Sequence, residues 1–397
     1  MNSFYFYKKE KKFYINPFLS NFLHFSRWLA AFIVVLSHVR AVTFPSYAEL
    51  GKSEIVWKLF YFMTSLGHEA VIIFFVLSGF LIGGEILRGM VNQKFNWRKY
   101  TIKRVIRLYI VLIPALFLTS ILDHLGYFFF NDLNGYDSFF EGGKESFGTF
   151  LLNLFMLQHS YGPLFGSNDP LWSLAYEFWY YLMFPLIATF FFSRQWKIKL
   201  LSLITLILIA MLINEKIILY FLIWLLGMAI WFIDENLLNK LPYPGFLLTA
   251  LFISVVAYSR YISGFIGDLL VGIIFGLIII YFKSIPKIPR IVERTIQTKL
   301  NAFLADFSYS LYLLHFPFML LLVNIFYLIF YDFKKTVSYS NFLFFLCMII
   351  LIYCYSYFIY FLTEKHTKKI THIVLDNISF KVGNLARMKV LFKKILS

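Results

Sequence analysis

Two ionisable residues, Arg27 and His38, lie eleven positions apart in the apolar run RWLAAFIVVLSHVR. Eleven helical residues make about three turns, so both side chains should share one face, about 16 Å apart along the axis. Ionisable groups inside a hydrophobic span are costly and usually face a protein interior or a wet cavity. For either residue alone, anchoring at the membrane interface is the more ordinary explanation. The pair therefore becomes informative only together with other polar groups.

A carboxylate in a later apolar segment is the natural partner for the imidazole. Glu177 lies in NDPLWSLAYEFWYYLMFP, one helical turn after Ser173 and one turn before Tyr181. A carboxylate can orient a histidine tautomer and stabilise the imidazolium, as it does for a general base. We therefore expect Glu177 to pair with His38, with Ser173 and Tyr181 as supporting residues. A solvated glutamate at the membrane interface is the alternative.

A cluster of basic residues precedes another apolar segment, in WRKYTIKRVIRLYIVLIP. Arg104 and Arg107 are three positions apart and share a helical face. Seven basic residues lie between Arg88 and Arg107. Guanidinium groups bind phosphate in a bidentate geometry, so this cluster is a candidate phosphate site. Membrane anchoring explains the same residues equally well.

Two further motifs carry weaker signals. Ser78 precedes the glycines of FFVLSGFLIGGE, where small residues let a helix or a ligand approach the backbone, and helix packing is the favoured interpretation. His315 lies midway through an apolar segment, in FSYSLYLLHFPFM, where a packing histidine is favoured over a catalytic one. His68 and Glu69 are weaker candidates still. The sequence contains no HExxH motif and no cysteine cluster, so we predict no catalytic metal.

The elements that must position these residues are membrane helices. The 397 residues are 60% hydrophobic and 15% charged, which is too apolar for a soluble core. The 50 Phe and 27 Tyr residues fit lipid-facing surface and interfacial belts. Cys347 and Cys354 lie in one apolar segment and suggest neither a disulfide nor a metal site. A net charge of +16 indicates contact with anionic lipid, not nucleic acid, because the basic residues fall between apolar segments.

Ten apolar segments predict an all-α polytopic membrane protein with both termini in the cytoplasm. The predicted spans are 27–44, 68–87, 107–130, 172–193, 198–214, 217–233, 245–259, 266–282, 303–331 and 341–362. On this topology 29 of the 37 Lys and Arg residues lie inside, as the positive-inside rule requires. The weakest predictions are the tight turn within 198–233 and the long segment 303–331, which is expected to tilt or break at Pro317.

The chain then divides into three parts. Residues 1–26 form a basic cytoplasmic segment, 27–362 the transmembrane domain, and 363–397 a basic tail expected to lie on the inner surface as an amphipathic helix. The largest outward connection, 131–171, contains FGTFLLNLFMLQ, which is too short to span a bilayer. We expect this stretch to form a helix at the interface or dipping into the protein.

Taken in order, five motifs resemble the membrane-bound acyltransferase-3 family over about residues 22–362. They are Arg27 with His38, the Phe-Phe-Val-Leu-Ser-Gly-Phe-Leu run at 74–81, Arg104 and Arg107 before Pro114, Trp-Ser-Leu-x-x-Glu at 172–177, and Ser-Tyr-Ser-Leu-Tyr-Leu-x-His-x-Pro at 308–317. Trp28 stands where the family commonly has a small residue, and Tyr180-Tyr181 where Phe-Tyr is usual. Members often carry an added extracytoplasmic domain, which this chain lacks.

The resemblance implies an O-acyltransferase of the bacterial inner membrane. It would move an acyl group, acetyl by expectation, from cytoplasmic acyl-CoA to a hydroxyl of an extracytoplasmic glycan or lipid-linked saccharide. Arg27, Arg104 and Arg107 would hold the phosphates of CoA, while His38 would act as base or acyl carrier with Glu177 orienting it. A transporter or flippase of a polar or lipid-linked substrate is the alternative, and a non-catalytic scaffold the third.

Overall fold

The computed structural model describes residues 15–50, 54–130, 142–234, 237–240, 242–262, 264–285, 296–329 and 337–377. Across these ranges the regular elements are helices, and an isolated backbone bridge joins Gln158 to Gly162. The α-helices are α1 (Pro17–Thr43), α2 (Ile55–Thr64), α3 (Gly67–Ser78), α4 (Gly84–Val91), α5 (Trp97–Phe130), α6 (Phe147–Leu154), α7 (Leu171–Phe192), α8 (Trp196–Leu212), α9 (Glu215–Ala229), α10 (Pro244–Ser259), α11 (Phe265–Ser284), α12 (Ile296–Asp306), α13 (Ser308–Ile329) and α14 (Tyr339–Leu362).

Eight helical stretches in the described part of the chain are long and apolar enough to cross a membrane. They contain α1, α2 to α4 taken together, α5, α7, α9, α11, α13 and α14. The other two predicted spans fall on α8 and α10, which have 17 and 16 residues. A bilayer core about 30 Å thick needs about 20 helical residues, so these two are short for a full crossing. The prediction of an all-α polytopic membrane protein is confirmed.

Helix α1 starts ten residues before the predicted beginning of the span at Arg27. The side chain of Asn16 accepts a hydrogen bond from the Leu19 amide at 2.6 Å, and Pro17 occupies the first helical position. Both features favour a helix start at this point. Hydropathy detects the apolar part of a helix, whereas the helix itself continues past the apolar boundary. Arg27 and His38 therefore lie within one continuous helix.

The long predicted segment 303–331 is two helices, and the break is not at Pro317. Helix α12 ends at Asp306 and α13 begins at Ser308. Pro317 lies inside α13. Proline lacks an N–H, which leaves the carbonyl of the residue four positions earlier without its helical donor. The amide of Asn168 donates to that Leu313 carbonyl at 3.1 Å, so the helix tolerates the proline.

Glycines on the stretch that follows Ser78 pack against α9. A Cβ atom at Gly79 would collide with the Trp224 carbonyl, and one at Gly227 would collide with the Val76 carbonyl. Between α3 and α4 the chain makes one π-helical turn, Gly79–Gly83. Such turns free a backbone carbonyl from the helical ladder. The Trp231 indole donates to the Phe80 carbonyl at 2.6 Å, and these contacts support helix packing as the role of the glycines.

The structure describes parts of the outward connection and of the tail, together with the surroundings of Trp28. Helix α6 lies in the outward connection, as expected for FGTFLLNL, and the Ser146 side chain caps its first turn. Trp28 is accommodated by a hydrogen bond from its indole to Asn301 of α12 at 3.0 Å. The tail is helical over residues 367–377. The rest of the tail (378–397), the first fourteen residues and 131–141 lie outside the described residues.

Candidate active site

The imidazoles of His38 and His315 meet between α1 and α13. His38 Nδ1 lies 2.8 Å from His315 Nε2, and the rings are nearly parallel with centroids 5.1 Å apart. His315 is fully buried, and Phe316 packs edge-on against His38. The two histidines come from segments 277 residues apart in the chain. The structure therefore gives His38 a partner that the sequence analysis treated as a packing residue.

Hydrogen bonding assigns the tautomers of this pair. His315 Nδ1 lies 2.8 Å from the Tyr312 carbonyl and 3.1 Å from the Leu311 carbonyl. Carbonyl oxygens only accept, so His315 Nδ1 carries the hydrogen and its Nε2 presents a lone pair. His38 Nδ1 must then donate to His315. The network leaves Nε2 of His38 with its lone pair, which is the state of a general base or a nucleophile.

Glu177 does not hydrogen-bond His38 as predicted. Its carboxylate accepts a hydrogen bond from the Tyr181 hydroxyl, one turn further along α7. It lies close enough to Arg27 and to Tyr312 to act on both electrostatically. Glu177 thus lies near one predicted phosphate-binding arginine and near Tyr312, whose carbonyl accepts from His315.

Ser173 supports the histidine pair indirectly. Its hydroxyl lies 2.6 Å from the Tyr312 hydroxyl, and both residues are buried. The Tyr312 carbonyl in turn accepts from His315. One turn of α7 and one turn of α13 are thereby held together beside the imidazoles. The loop before α7 adds a further tie, since Asn168 bonds both Leu313 and Thr119.

The predicted phosphate-binding arginines are already paired with carboxylates in this structure. Arg104 forms an ion pair with Glu85 at the start of α4, and Lys103 lies 3.6 Å from the same carboxylate. The Arg104 guanidinium also lies over the rings of Tyr100 and Tyr181. Glu85 is about half exposed, so its pairing with Arg104 is a weakly bound one.

Arg107 is held more firmly. Its Nη1 lies 2.5 Å from Glu364 Oε1, and the Glu364 side chain is 1% exposed. The other carboxylate oxygen accepts from both the amide and the hydroxyl of Ser310, at 3.0 and 2.6 Å. The carboxylate of Glu364 thereby connects α5, the first turn of α13 and the end of α14. Glu364 lies in the predicted tail and was not among the candidate site residues.

Arg27, unlike Arg104 and Arg107, forms no ion pair with a carboxylate of the described residues. Its side chain lies near Arg107, Glu364 and Glu177, but none of the described carboxylates is within ion-pair distance of it. A half-buried guanidinium with open donor positions is suited to receive an anion. Arg27, Arg104 and Arg107 thus converge on one region, which we call the arginine end of the bundle.

Ser78 and Tyr181 lie between the two regions. The Trp224 indole donates to the Ser78 hydroxyl at 3.0 Å, and Ser78 lies close to the Tyr181 hydroxyl. Tyr181 is buried and donates to Glu177. A row of polar groups therefore runs through the interior from the arginine end to His38. In the described ranges no set of three or more metal-ligand residues is gathered.

Two signals in the sequence pointed to the missed partners. His315 lies twelve residues into the predicted span 303–331, and His38 lies eleven residues into 27–44, so both have nearly equal depth. Glu85 directly follows the glycine run, in GGE, near the inner end of the predicted span 68–87. Arg104 lies just before the inner end of the next predicted span, 107–130. Glu364 carried no comparable signal, because its burial depends on how the end of α14 meets α13.

One similar protein and no similar solved structure were found for this chain. The chain is 34% identical over 139 residues to a Haemophilus influenzae protein described as "Uncharacterized protein". The matched part covers 34% of this chain and 55% of the relative, so the alignment spans about half of that protein. No solved structure matches this chain. Neither comparison therefore indicates an activity for this chain.

The family assignment covers most of the molecule. Residues 20–361 match the family described as "Acyltransferase domain", which includes both histidines and all three arginines. Glu364 lies three residues beyond the matched range. The matched range begins in the first turn of α1 and ends at the last residue but one of α14. With its ionisable groups lining one interior path, this chain belongs to the acyltransferase-3 family.

Proposed function

We propose that this protein is a membrane O-acyltransferase that uses acyl-CoA, with acetyl as the transferred group. The observation that supports this most directly is the tautomer of His38. A neutral imidazole with a free Nε2 lone pair can take a proton from a hydroxyl or attack an acyl carbonyl. It lies on the same helix as Arg27, about 16 Å away by the helical rise. One helix thus carries an anion-binding group and a base.

The arginine end would bind the phosphates of CoA. On the predicted topology it faces the cytoplasm, where acyl-CoA is made. The donor phosphates would replace the weakly held Glu85 at Arg104 and contact Arg27 directly. Arg107 would remain anchored by Glu364 and contribute its field to the site. The pantetheine arm would then extend along the polar row towards His38.

At His38 the chemistry has two forms. In direct transfer, Nε2 removes the acceptor proton while the acceptor oxygen attacks the thioester carbonyl; the C–O bond forms, the C–S bond breaks, and the thiolate receives the proton from the imidazolium. In the covalent form, Nε2 attacks the thioester carbonyl, so that an N–C bond forms, the C–S bond breaks and the CoA thiolate leaves. The acceptor oxygen then attacks the acyl-imidazolium, the C–O bond forms, the N–C bond breaks, and the acceptor proton passes through the released imidazole to the thiolate. His315 holds the imidazole in the required tautomer in both cases. Acid-quench trapping of labelled acyl-His38 separates them.

The acceptor is proposed to be a hydroxyl of a glycan or lipid-linked saccharide on the outer side of a bacterial inner membrane. His38 lies towards the end of α1 that the basic-residue count places outside. Acyl transfer along the interior would bring the acyl group to that side without releasing acyl-CoA. A loss of 42 Da from surface glycans in a strain lacking the gene, by mass arithmetic, would identify acetyl as the group.

The proposal is tested with purified protein in vesicles containing labelled acetyl-CoA and an envelope glycan extract from a strain lacking the gene. His38→Ala should reduce transfer by about 10²- to 10⁴-fold, as expected for loss of a general base. His372→Ala, which alters an exposed tail histidine, should retain the wild-type rate. Transfer by His38→Ala at the wild-type rate would remove His38 from the mechanism.

The same vesicles test the rival function. A transporter or flippase would move substrate across the bilayer and leave the acceptor unlabelled. The histidine pair supports the assignment of a base, and the arginine end supports the assignment of a phosphate site. A non-catalytic scaffold needs neither. Net movement of an unmodified substrate would favour the transporter.

A further inference from the structure

A second imidazole, outside the site just described, is paired with a buried carboxylate. Nε2 of His68, in the first turn of α3, lies 2.9 Å from both carboxylate oxygens of Asp268 in the first turn of α11. The Asp268 side chain is 8% exposed, whereas the His68 side chain is 53% exposed. The carboxylate is therefore enclosed by the protein, and the imidazole is accessible.

Three helices are needed to enclose this carboxylate. The Tyr220 hydroxyl of α9 donates to Asp268 Oδ2 at 2.5 Å, beside the bond from His68. A buried carboxylate is costly unless hydrogen bonds satisfy it, and these two donors do so. Nε2 of His68 carries a hydrogen towards Asp268, which leaves Nδ1 to accept a hydrogen bond in the neutral imidazole or to donate one in the imidazolium. The half-exposed ring thus offers an oriented hydrogen-bonding group.

An aromatic face lies beside the accessible imidazole. The indole of Trp172 is nearly parallel to the His68 ring, with centroids 6.2 Å apart, and is partly exposed. Phe75 and Tyr176 pack against the edges of Trp172 and hold it in place. A flat indole beside a fixed polar group can contact the apolar face of a ring while the polar group bonds its hydroxyls.

This second cluster adjoins the His38 site through two contacts. Trp172 directly precedes Ser173, whose hydroxyl bonds Tyr312 next to the histidine pair. Gly67, directly before His68, packs so closely on α1 that an added Cβ would lie 2.8 Å from that of Ser37, the neighbour of His38. His68 and His38 therefore lie at the same end of the bundle, on adjacent helices.

We propose that His68 and Trp172, with Asp268 and Tyr220 behind them, form the binding subsite for the acyl acceptor. This inference rests on the proposed acyltransfer. The ligand class is a neutral, hydroxyl-bearing sugar ring: Trp172 contacts its apolar face, and Nδ1 of His68 hydrogen-bonds a hydroxyl, which can donate or accept. The pair of Asp268 and His68 carries no net positive charge, so it does not favour an anionic ligand. His68 and Trp172 bind the acceptor and leave the proton transfer to His38.

The test separates acceptor binding from donor binding in purified, reconstituted protein. The probes are labelled acetyl-CoA and the envelope glycan fraction of a strain lacking the gene, each varied in turn. Trp172→Ala and His68→Ala should each raise KM for the glycan at least about tenfold, which corresponds to about 1.4 kcal/mol. KM for acetyl-CoA and kcat should stay within about twofold of wild type. Trp172→Phe should recover most of the glycan affinity.

Tyr261→Ala is the matched control, because Tyr261 is an exposed aromatic residue in the turn just before α11. It should leave both KM values unchanged. Unaltered glycan KM in Trp172→Ala, or an equal loss for both substrates, would overturn the subsite. If His68→Ala lowers the folded yield, the Trp172 pair of variants decides the question. Failure of the wild type to acylate any glycan would instead refute the acyltransfer and, with it, this subsite.

Discussion

At the scale of single residues, the hydrogen bonds of His38 decide whether it can act as the proposed base. His38 donates from Nδ1 to His315, which in turn donates to the Tyr312 carbonyl. This order leaves the second nitrogen of His38 free. A histidine, not a carboxylate, therefore performs the orienting task that the sequence analysis gave to Glu177.

His315 should therefore be a positioning residue whose loss lowers kcat. His315→Ala removes the acceptor for His38 Nδ1–H and lets the His38 ring rotate, so we expect turnover to fall by about 10- to 10²-fold, less than removal of the base itself. His315→Gln offers an amide oxygen at a similar distance and should recover part of the rate. Initial rates at saturating acetyl-CoA measure both. Equal rates in His315→Ala and wild type would contradict the tautomer assignment.

Arg104 and Arg107 should respond differently to the same substitution. Arg104→Ala leaves Glu85, which is about half exposed and can be solvated, so stability should change by about 0–1 kcal/mol while KM for acetyl-CoA rises. Arg107→Ala leaves Glu364 buried without its cation, which costs about 3–5 kcal/mol. Thermal unfolding in detergent and acetyl-CoA titration separate the two effects. Equal melting temperatures for both variants would contradict the burial of Glu364.

At the scale of elements, the loop before α7 is fastened to α5 by carboxyl groups. Both oxygens of Asp123 accept hydrogen bonds from Ser167, at 2.7 Å each. Glu145 is hydrogen-bonded to Asp123 and accepts from Ser120 at 3.2 Å. Gly166, with a φ of +53°, lies so close that an added Cβ would collide with both carboxyl groups. This loop carries Asn168, which bonds α13 beside the histidine pair.

The attachment of this loop to α5 should weaken as pH rises. Burial and the neighbouring Asp123 carboxylate raise the pKa of Glu145 to about 8, above its usual value of 4.5. The folded chain then binds more protons than the unfolded chain between those values, so its stability falls as pH rises from about 5 to 8 and levels off above. Glu145→Gln keeps a neutral hydrogen-bond donor facing Asp123 and should remove this part of the slope.

Melting temperatures of the wild type and of Glu145→Gln across pH 5–9 provide the measurement. Groups other than Asp123 titrate alike in both proteins, so the difference between the two curves isolates the pair of Glu145 and Asp123. We expect the melting temperature of Glu145→Gln, relative to that of the wild type, to rise steadily up to about pH 8. Parallel curves would show that Glu145 is already ionised in the folded protein.

Element type and order were predictable, whereas some ends and partners were not. Each of the ten apolar segments falls on helical residues, although 303–331 covers two helices, because hydropathy over about 20 residues is a strong signal. The start of α1 at Pro17 and the break at Phe307 depend on capping and on neighbouring side chains. Pro317 was expected to break its helix, but the repair by Asn168 comes from a distant segment. Long-range partners of this kind leave no local pattern.

At the scale of the whole molecule, close contact between α3 and α9 sets the packing of the bundle. The π-helical turn that continues α3 presents Gly79 to the backbone of α9, and α9 presents Gly227 to the backbone of α3. Membrane helices have little hydrophobic drive to associate, so close backbone packing contributes much of their attraction. The polar row through the interior depends on this packing, because Trp224 of α9 also bonds Ser78.

Gly79→Ala should therefore separate the two helices. Its new Cβ would meet backbone, which cannot move aside, and we expect a destabilisation of about 1–3 kcal/mol or more. Gly148→Ala is the control, since Gly148 lies in α6 with open space around it, and alanine there should be neutral or stabilising by up to about 1 kcal/mol. Thermal unfolding in detergent reports both. A melting temperature for Gly79→Ala equal to the control would contradict the close approach.

The pairing of Arg107 with Glu364 also bears on the membrane as an electrical insulator. A row of polar groups through a bilayer invites protons and ions to follow it, at the expense of any gradient across that membrane. Here a cation and an anion lie 2.5 Å apart at one end of the row and together carry no net charge. This pair therefore adds no net attraction for a stray ion, and Arg27 is the group at that end to which an anion would be drawn.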